Sequence, residues 1–424
     1  MIAAAMLAFA SSYGQFSVNV ETTPGFTAKE AVLYSLNGSK DIIEGKEYRK
    51  GNSWNFKVPQ RYLGMMKIYF PETNSTLNLI SENRDVRMKI AAEGSKVNEV
   101  VYLDESNLLM EKVQDLQRKN ELIFPALVQI KDYYRKNSEF GIALDKEIQR
   151  LGEKVVIDAA KNPFISYYNT NYNKYLVENS AQKAPTQEEM VTFMTNSGEL
   201  LESSSILRPL LVAFLNTGGN TNLESRIDAL LQRVNVETPR GQTVLSELIG
   251  IFDVYGMPDM KQRYLTEAKN LKCTIHPRLA QTLKANADVE LGAVFPDYRF
   301  TAAQKTSAKS LHAVKADKKV IVFWSSTCSH CEKELPELLD KYSSMKSQNI
   351  EVIGLSMDDN KESYQKRVST LPWINDSEMR GWNASYTDTY NINATPTYFI
   401  LDTSNKIIAK PDHAADVIRF LNLK

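Results

Sequence analysis

Lys319-Val320-Ile321-Val322-Phe323-Trp324-Ser325-Ser326-Thr327-Cys328-Ser329-His330-Cys331-Glu332-Lys333-Glu334-Leu335-Pro336 is the stretch on which the fold turns. Its first six residues are an apolar run bounded by polar flanks, which predicts a strand buried on both faces. From Glu332 to about Met345 the apolar residues fall at helical spacing, and Ile350-Glu351-Val352-Ile353-Gly354-Leu355-Ser356 reads as a second buried strand. Strand, helix-length crossover and strand predict a right-handed parallel βαβ unit. Thr397-Tyr398-Phe399-Ile400-Leu401 and Lys406-Ile407-Ile408-Ala409, joined by the Asp402-Thr403-Ser404-Asn405 turn, predict a hairpin, and Ala414 to Leu421 a closing amphipathic helix. Residues 288–424 are thus expected to form an α/β domain with a mixed sheet.

Cys328 and Cys331 stand where the first strand hands over to the helix. Free backbone N–H groups and the helix dipole stabilise a thiolate there, and the thiolate is the attacking species in disulfide exchange. Cys328 is therefore the candidate nucleophile. Cys331, three residues on and on the same helix face, suits a resolving thiol that forms the internal redox-active disulfide. The spacing also suits half of a zinc site, but Cys273 is the only other cysteine and no second Cys-x-x-Cys exists, so neither a metal nor a cofactor is expected. Cys273 itself, with no charged motif around it, is expected to be a buried structural thiol.

The run 323–336 resembles the active-site motif of thioredoxin-fold thiol–disulfide oxidoreductases, in particular the TlpA/ResA-like (AhpC/TSA-related) envelope group. The likeness extends upstream to Gly292-Ala293-Val294-Phe295-Pro296-Asp297-Tyr298 and downstream to Tyr390-Asn391-Ile392-Asn393-Ala394-Thr395-Pro396-Thr397, covering about the final third of the chain. It implies that Pro396 is cis, with Thr395, Pro396 and Trp324 on the substrate side. Thr395 would pair with an extended substrate segment through strand-like hydrogen bonds. Glu334 matches the group's active-site glutamate, a candidate to move the proton of Cys331 or tune the thiols. His330 occupies the position used in disulfide isomerases and strong oxidants. Their potentials, about −180 mV for the isomerase against about −270 mV for thioredoxin, differ by roughly 4 kcal/mol. Two positions depart from thioredoxin proper: Thr327 replaces the tryptophan before the first cysteine, and Val322 the buried aspartate. Pro336, lacking an N–H, is expected to kink the helix and keep its first turn aimed at the substrate.

Upstream the texture changes twice. Residues 101–287 carry helical periodicity, as in Leu207, Leu210, Leu211 and Phe214, with breaks at Pro163, at Lys183-Ala184-Pro185-Thr186 (Thr186 a candidate N-cap) and at Gly218-Gly219. The aromatic stretch Tyr167, Tyr168, Tyr172, Tyr175 reads as helix packing in preference to a partner-binding face. Residues 15–100 alternate with period two, as in Phe16, Val18, Val20 and Trp54, Phe56, Val58, and predict an antiparallel β-rich domain without chemistry. Residues 1–14 form a short apolar run ending in small residues, the pattern of a cleaved export signal, though without a preceding Lys or Arg. The expected fold class is multidomain: β-rich, then all-α, then α/β thioredoxin-like.

At 424 residues with 43% hydrophobic and 24% charged residues, the chain calls for two or three folded domains. Lys+Arg 51 against Asp+Glu 51 leaves no positive field for a nucleic acid. The expected function is thiol–disulfide exchange, as reductase or isomerase, in the periplasm or cell envelope. Its partners would be disulfide-containing envelope proteins and a membrane or envelope thiol electron donor. A thiol peroxidase is disfavoured, because Ile321 stands where the peroxide cradle needs a proline. A redox-silent binding module is the remaining alternative.

Overall fold

The computed structural model describes residues 16–152, 155–177, 184–219 and 221–423; the expected export signal, 1–14, lies outside the described residues. The chain forms two compact units, one up to Asn235 and the other from Val236 onward.

The first unit opens with eight strands: β1 (Phe16–Thr22), β2 (Glu30–Asn37), β3 (Lys40–Tyr48), β4 (Ser53–Val58), β5 (Leu63–Phe70), β6 (Ser75–Glu82), β7 (Val86–Glu93) and β8 (Lys96–Tyr102). They make two four-stranded sheets, ordered β4-β1-β7-β8 and β3-β2-β5-β6. All pairs are antiparallel except β1 with β7, which is parallel. The period-two residues Phe16, Val18, Val20, Trp54, Phe56 and Val58 are buried in one core that draws on both sheets, the expected outcome of alternation over a half-buried sheet.

Helices follow: α1 (Glu105–Leu122), α2 (Phe124–Lys131), α3 (Glu139–Gly152), α4 (Pro163–Tyr175), α5 (Gln187–Asn196), α6 (Leu207–Asn216) and α7 (Leu223–Val234). Their starts obey local chemistry. Pro163 occupies the first turn of α4, whose Phe164 and Ile165 N–H groups donate to the buried Glu82 carboxylate at 3.0 and 2.9 Å. Thr186 and Glu189 form a reciprocal capping box on α5. Tyr168 and Tyr175 are buried, and Tyr175 stacks on Phe193 at 4.5 Å, in line with the packing reading.

The second unit begins with α8 (Pro239–Val254), α9 (Pro258–Lys269) and α10 (Pro277–Ala287), each with proline in its first turn. Then come β9 (Lys318–Trp324), α11 (Ser329–Ser347), β10 (Ile350–Ser356), α12 (Lys361–Val368), β11 (Ile374–Ser377), α13 (Ser385–Thr389), β12 (Thr397–Leu401), β13 (Ile407–Ala409) and α14 (Ala414–Phe420). The sheet order is β11-β10-β9-β12-β13. Strands β9, β10 and β11 run parallel, while β12 is antiparallel to both β9 and β13. Central β9 is buried on both faces: Val320, Val322 and Trp324 pack with residues of α11 and α14, and Ile321 and Phe323 with residues such as Phe295, Tyr386 and Tyr390. That double burial is why its sequence is a continuous apolar run. The fold is thus β-rich, then helical, then α/β with a mixed sheet. Strand β11 was not anticipated; its sequence Ile-Asn-Asp-Ser carries three buried polar side chains and no apolar alternation.

Candidate active site

Strand β9 ends at Trp324, and the chain turns through Ser325-Ser326-Thr327 into α11. Cys328 is the N-cap of that helix, with extended backbone dihedrals, and its Sγ accepts the Cys331 N–H at 3.2 Å. An N-cap acceptor is usually an oxygen; here sulfur takes the place and receives the field of the helix start. Across from it, the Thr395–Pro396 peptide is cis, and the Cys328 thiol donates to the Thr395 carbonyl at 3.2 Å. The structure therefore brings together Cys328, Cys331, Thr395 and Pro396, although Cys328 and Thr395 are 67 positions apart in sequence.

The two cysteines are free thiols in contrasting surroundings. Burial pushes the Cys328 thiol up, but hydrogen bonds involving the Cys331 and Thr395 side chains and the backbone of Cys331 and His330 outweigh it, leaving the thiol below its ordinary range. Cys331, only 1% exposed, is pushed up to about 12, first by burial and then by its hydrogen bond with Cys328. One sulfur is poised to attack and the other is held protonated.

Glu334 lies one turn beyond Cys331, half-buried. Its Oε2 accepts from the Tyr398 hydroxyl at 3.1 Å and the Ala414 N–H at 2.9 Å, and its Oε1 lies 3.0 Å from His413 Nδ1. The ring of His330 is exposed, and its backbone is the part that acts on Cys328. Pro336 sits inside α11 with its ring exposed. Trp324 departs from expectation: it is fully buried, stacked at 6.1 Å on Tyr364, and offers no surface to a substrate. Its indole lies over Gly354 of β10, where a Cβ would come within 2.8 Å of Nε1; the glycine is what lets the ring fit. Cys273 is half-buried, receiving the Gln242 side-chain amide at 3.4 Å.

Two residues of the site escaped the sequence reading. Asp358, just past β10 and 3% exposed, accepts from the Ser326 N–H at 3.0 Å and from the hydroxyls of Ser325, Ser326 and Ser356 at 3.2, 2.6 and 2.6 Å. It clamps the turn that delivers Cys328; the only signal was an aspartate following a buried strand. Asp253, near the end of α8, binds the other loop. Its Oδ2 accepts the side-chain amides of Asn391 and Asn393 at 3.0 and 2.6 Å, and its Oδ1 pairs with Lys261 at 2.5 Å. The lead-in segment 292–298 also reaches that loop: Phe295 stacks on Tyr390 at 4.4 Å, and the Tyr390 hydroxyl donates to the Pro296 carbonyl at 2.9 Å. Among the described residues there is no cluster of His, Cys, Asp and Glu arranged to hold a metal.

Comparison with known proteins gives the same region. A thioredoxin-like family model matches residues 317–407. The thiol-disulfide oxidoreductase ResA of Geobacillus kaustophilus is 26% identical over 123 residues, covering 28% of this chain and 67% of that protein. ResA of Geobacillus thermodenitrificans is 23% identical over 156 residues, 35% of this chain and 86% of its own length. Among solved structures, the thioredoxin domain of a thiol-disulfide oxidoreductase from Bacteroides vulgatus is 25% identical, with 31% of this chain and 96% of that one aligned at a TM-score of 0.29. With a βαβ core, a dithiol on a helix N-terminus and a cis-proline loop facing it, the carboxy-terminal part of the chain is a thioredoxin-like domain.

Proposed function

We propose that this protein is a thiol–disulfide oxidoreductase of the bacterial cell envelope, acting on protein disulfides through the Cys328-Ser329-His330-Cys331 dithiol. The observation that carries the reading is the asymmetry of the two thiols at the start of α11: Cys328 lowered and partly accessible, Cys331 raised and enclosed. A low thiol is the competent nucleophile, and a shielded one resolves the mixed disulfide before a second substrate arrives. In the reducing direction the Cys328 thiolate attacks a substrate disulfide, forming a mixed disulfide and expelling one substrate thiol. Cys331 then attacks Cys328, the second substrate thiol leaves, and the dithiol has passed two electrons and two protons to its substrate. A thiol donor of the envelope restores the reduced form, and an extended substrate strand lies against Thr395 and Pro396. Exchange needs no metal or cofactor.

Export rests on the residue pattern of 1–14. The β-rich segment 15–100 and the helices that follow it up to Asn235 serve as recognition or docking modules for the unit that carries the dithiol, from Val236 onward. The test is capture in cells: Cys331→Ser should accumulate mixed disulfides through Cys328 with envelope proteins, which dithiothreitol releases. Recovering none, while Cys328 remains reactive to alkylation, would overturn the reading. The reduction potential against glutathione buffers then separates a reductase, near thioredoxin's about −270 mV, from an isomerase, near about −180 mV.

A further inference from the structure

Resolution of a mixed disulfide requires Cys331 to lose a proton, yet its sulfur is enclosed. Water does not reach it directly, so the proton needs a route. Glu334 follows one turn later on the same face of α11. Its carboxylate is itself shielded, with 15% of the side chain exposed, and Oε2 is occupied by the Tyr398 hydroxyl and the Ala414 N–H. The remaining oxygen, Oε1, faces His413 Nδ1 at 3.0 Å, and the His413 side chain is 69% exposed. Proceeding outward from Cys331, these groups run from buried thiol to half-buried carboxylate to a solvent-washed imidazole.

We propose that His413 is the solvent-side station of a proton relay that serves Cys331 through Glu334. The inference rests on the dithiol reading above. In the resolving step the Cys331 sulfur bonds to the Cys328 sulfur, the Cys328–substrate S–S bond breaks, and its electron pair leaves on the substrate sulfur. The Cys331 proton goes to the Glu334 carboxylate. The resulting acid donates from Oε1 to Nδ1 of a neutral His413 ring, which returns a proton to water at Nε2. In the oxidising direction the same route runs backward. His413 acts through Glu334 and touches no reacting atom.

Glu334 and Glu337 come from α11, Tyr398 from β12, Asp416 from α14 and Asp412 from the preceding loop, and the Tyr398 hydroxyl that donates to Glu334 also feels the charge of Cys331. The hydrogen bond to Glu334, then its charge, and lesser contributions from Asp416 and Asp412 raise His413 above the ordinary histidine value. Because the relay needs a neutral ring, the resolving rate rises with pH as His413 loses its proton.

The experiment is single-turnover reaction of the reduced full chain with oxidised glutathione from about pH 5 to about pH 9, acid-quenched to count mixed disulfide and released glutathione. Wild type should show an ionisation above 6.5 in the release phase. His413→Gln should lack that limb and release glutathione roughly tenfold or more slowly at its alkaline end, with added imidazole restoring the rate. Glu334→Gln should lose both the limb and the imidazole response. Folding is not at risk, since His413 supports α14 through its backbone carbonyl, which accepts from Asp416 and Val417 at 3.0 and 3.2 Å. Superimposable wild-type and His413→Gln profiles, or no response to imidazole, overturn the relay alone. Failure of wild type to form any mixed disulfide overturns the oxidoreductase reading and the relay with it.

Discussion

Two cysteines of one type, three residues apart, are driven in opposite directions by their places on one helix. Cys328 accepts a backbone N–H at the helix start, and Cys331 is packed beneath with Val322, Leu335 and Tyr398 in the core. The consequence is measurable by alkylation. At pH 7 iodoacetamide should label Cys328 at least about tenfold faster than Cys331. Labelling of Cys328 should level off below the usual thiol range, whereas Cys331 should stay silent until the medium approaches pH 12. Mass spectrometry of peptides from the reduced protein checks both, and equal labelling would refute the asymmetry. The same shifts govern stability. The lowered Cys328 thiol contributes stability that is complete above the ordinary value of about 8.5 and is lost as pH falls through its folded value. The raised Cys331 thiol contributes stability that is complete below about 8.5 and is lost as pH rises toward 12. The dithiol was legible in the sequence because a buried strand running into a helix leaves few places for the pair to be. Trp324 was misplaced because the end of a strand tells where a side chain sits but not which face of the sheet has room for it, and Gly354 of the neighbouring strand decided that.

At the scale of elements, the site is two loops held in register by buried carboxylates. Asp358 gathers the Ser325-Ser326 turn, the Ser356 hydroxyl and, through its own carbonyl, the Gly381 N–H. Replacing it by alanine leaves the half-buried Ser326 N–H and the hydroxyls of Ser326 and Ser356 without this acceptor. We expect Asp358→Ala to destabilise the domain by about 3 kcal/mol, read from urea unfolding. The turn ahead of Cys328 is then loosened, so the thiol should drift back toward its ordinary range and alkylate more slowly at pH 7. Asp358→Asn, which keeps an acceptor oxygen, should lose less of both. An unchanged alkylation rate in the alanine variant would show that α11 positions Cys328 without the clamp. Elements such as β9, β10 and β12 were legible since apolar runs announce buried strands. Strand β11 was hidden because its buried side chains are Asn375, Asp376 and Ser377, and the partners of Asp376 and Ser377 lie far away in sequence. Asp376, for instance, accepts from the N–H groups of Thr301 and Ala302, 75 and 74 residues away, at 2.6 and 2.8 Å. His413 was equally silent, 79 residues from the glutamate it meets.

At the scale of the whole molecule, three textures of sequence are expressed as two compact units. Periodicity distinguishes helix from strand but says nothing about which helix packs with which sheet, and that choice is made by single contacts. Asp253 of α8 is one, holding Asn391 and Asn393 a few residues ahead of the cis-proline. Helices α8, α9 and α10 therefore belong to the same unit as the dithiol, and should melt with it. Calorimetry of the full reduced chain should resolve two transitions. Asp253→Ala strips Lys261 and two amides of their acceptor, which costs about 1–3 kcal/mol and lowers one transition by roughly 3–10 °C for a unit of this size. Asp358→Ala should lower that same transition, and oxidation of Cys328 and Cys331 should move only that one. Glu82→Gln, whose native carboxylate receives the first N–H groups of α4, should instead lower the other. If Asp253→Ala moved the transition that Glu82→Gln moves, or a third transition of its own, the helices would be thermodynamically separate from the thioredoxin-like sheet, and Asp253 would be an anchor at a boundary with no hold on the loop beside Cys328.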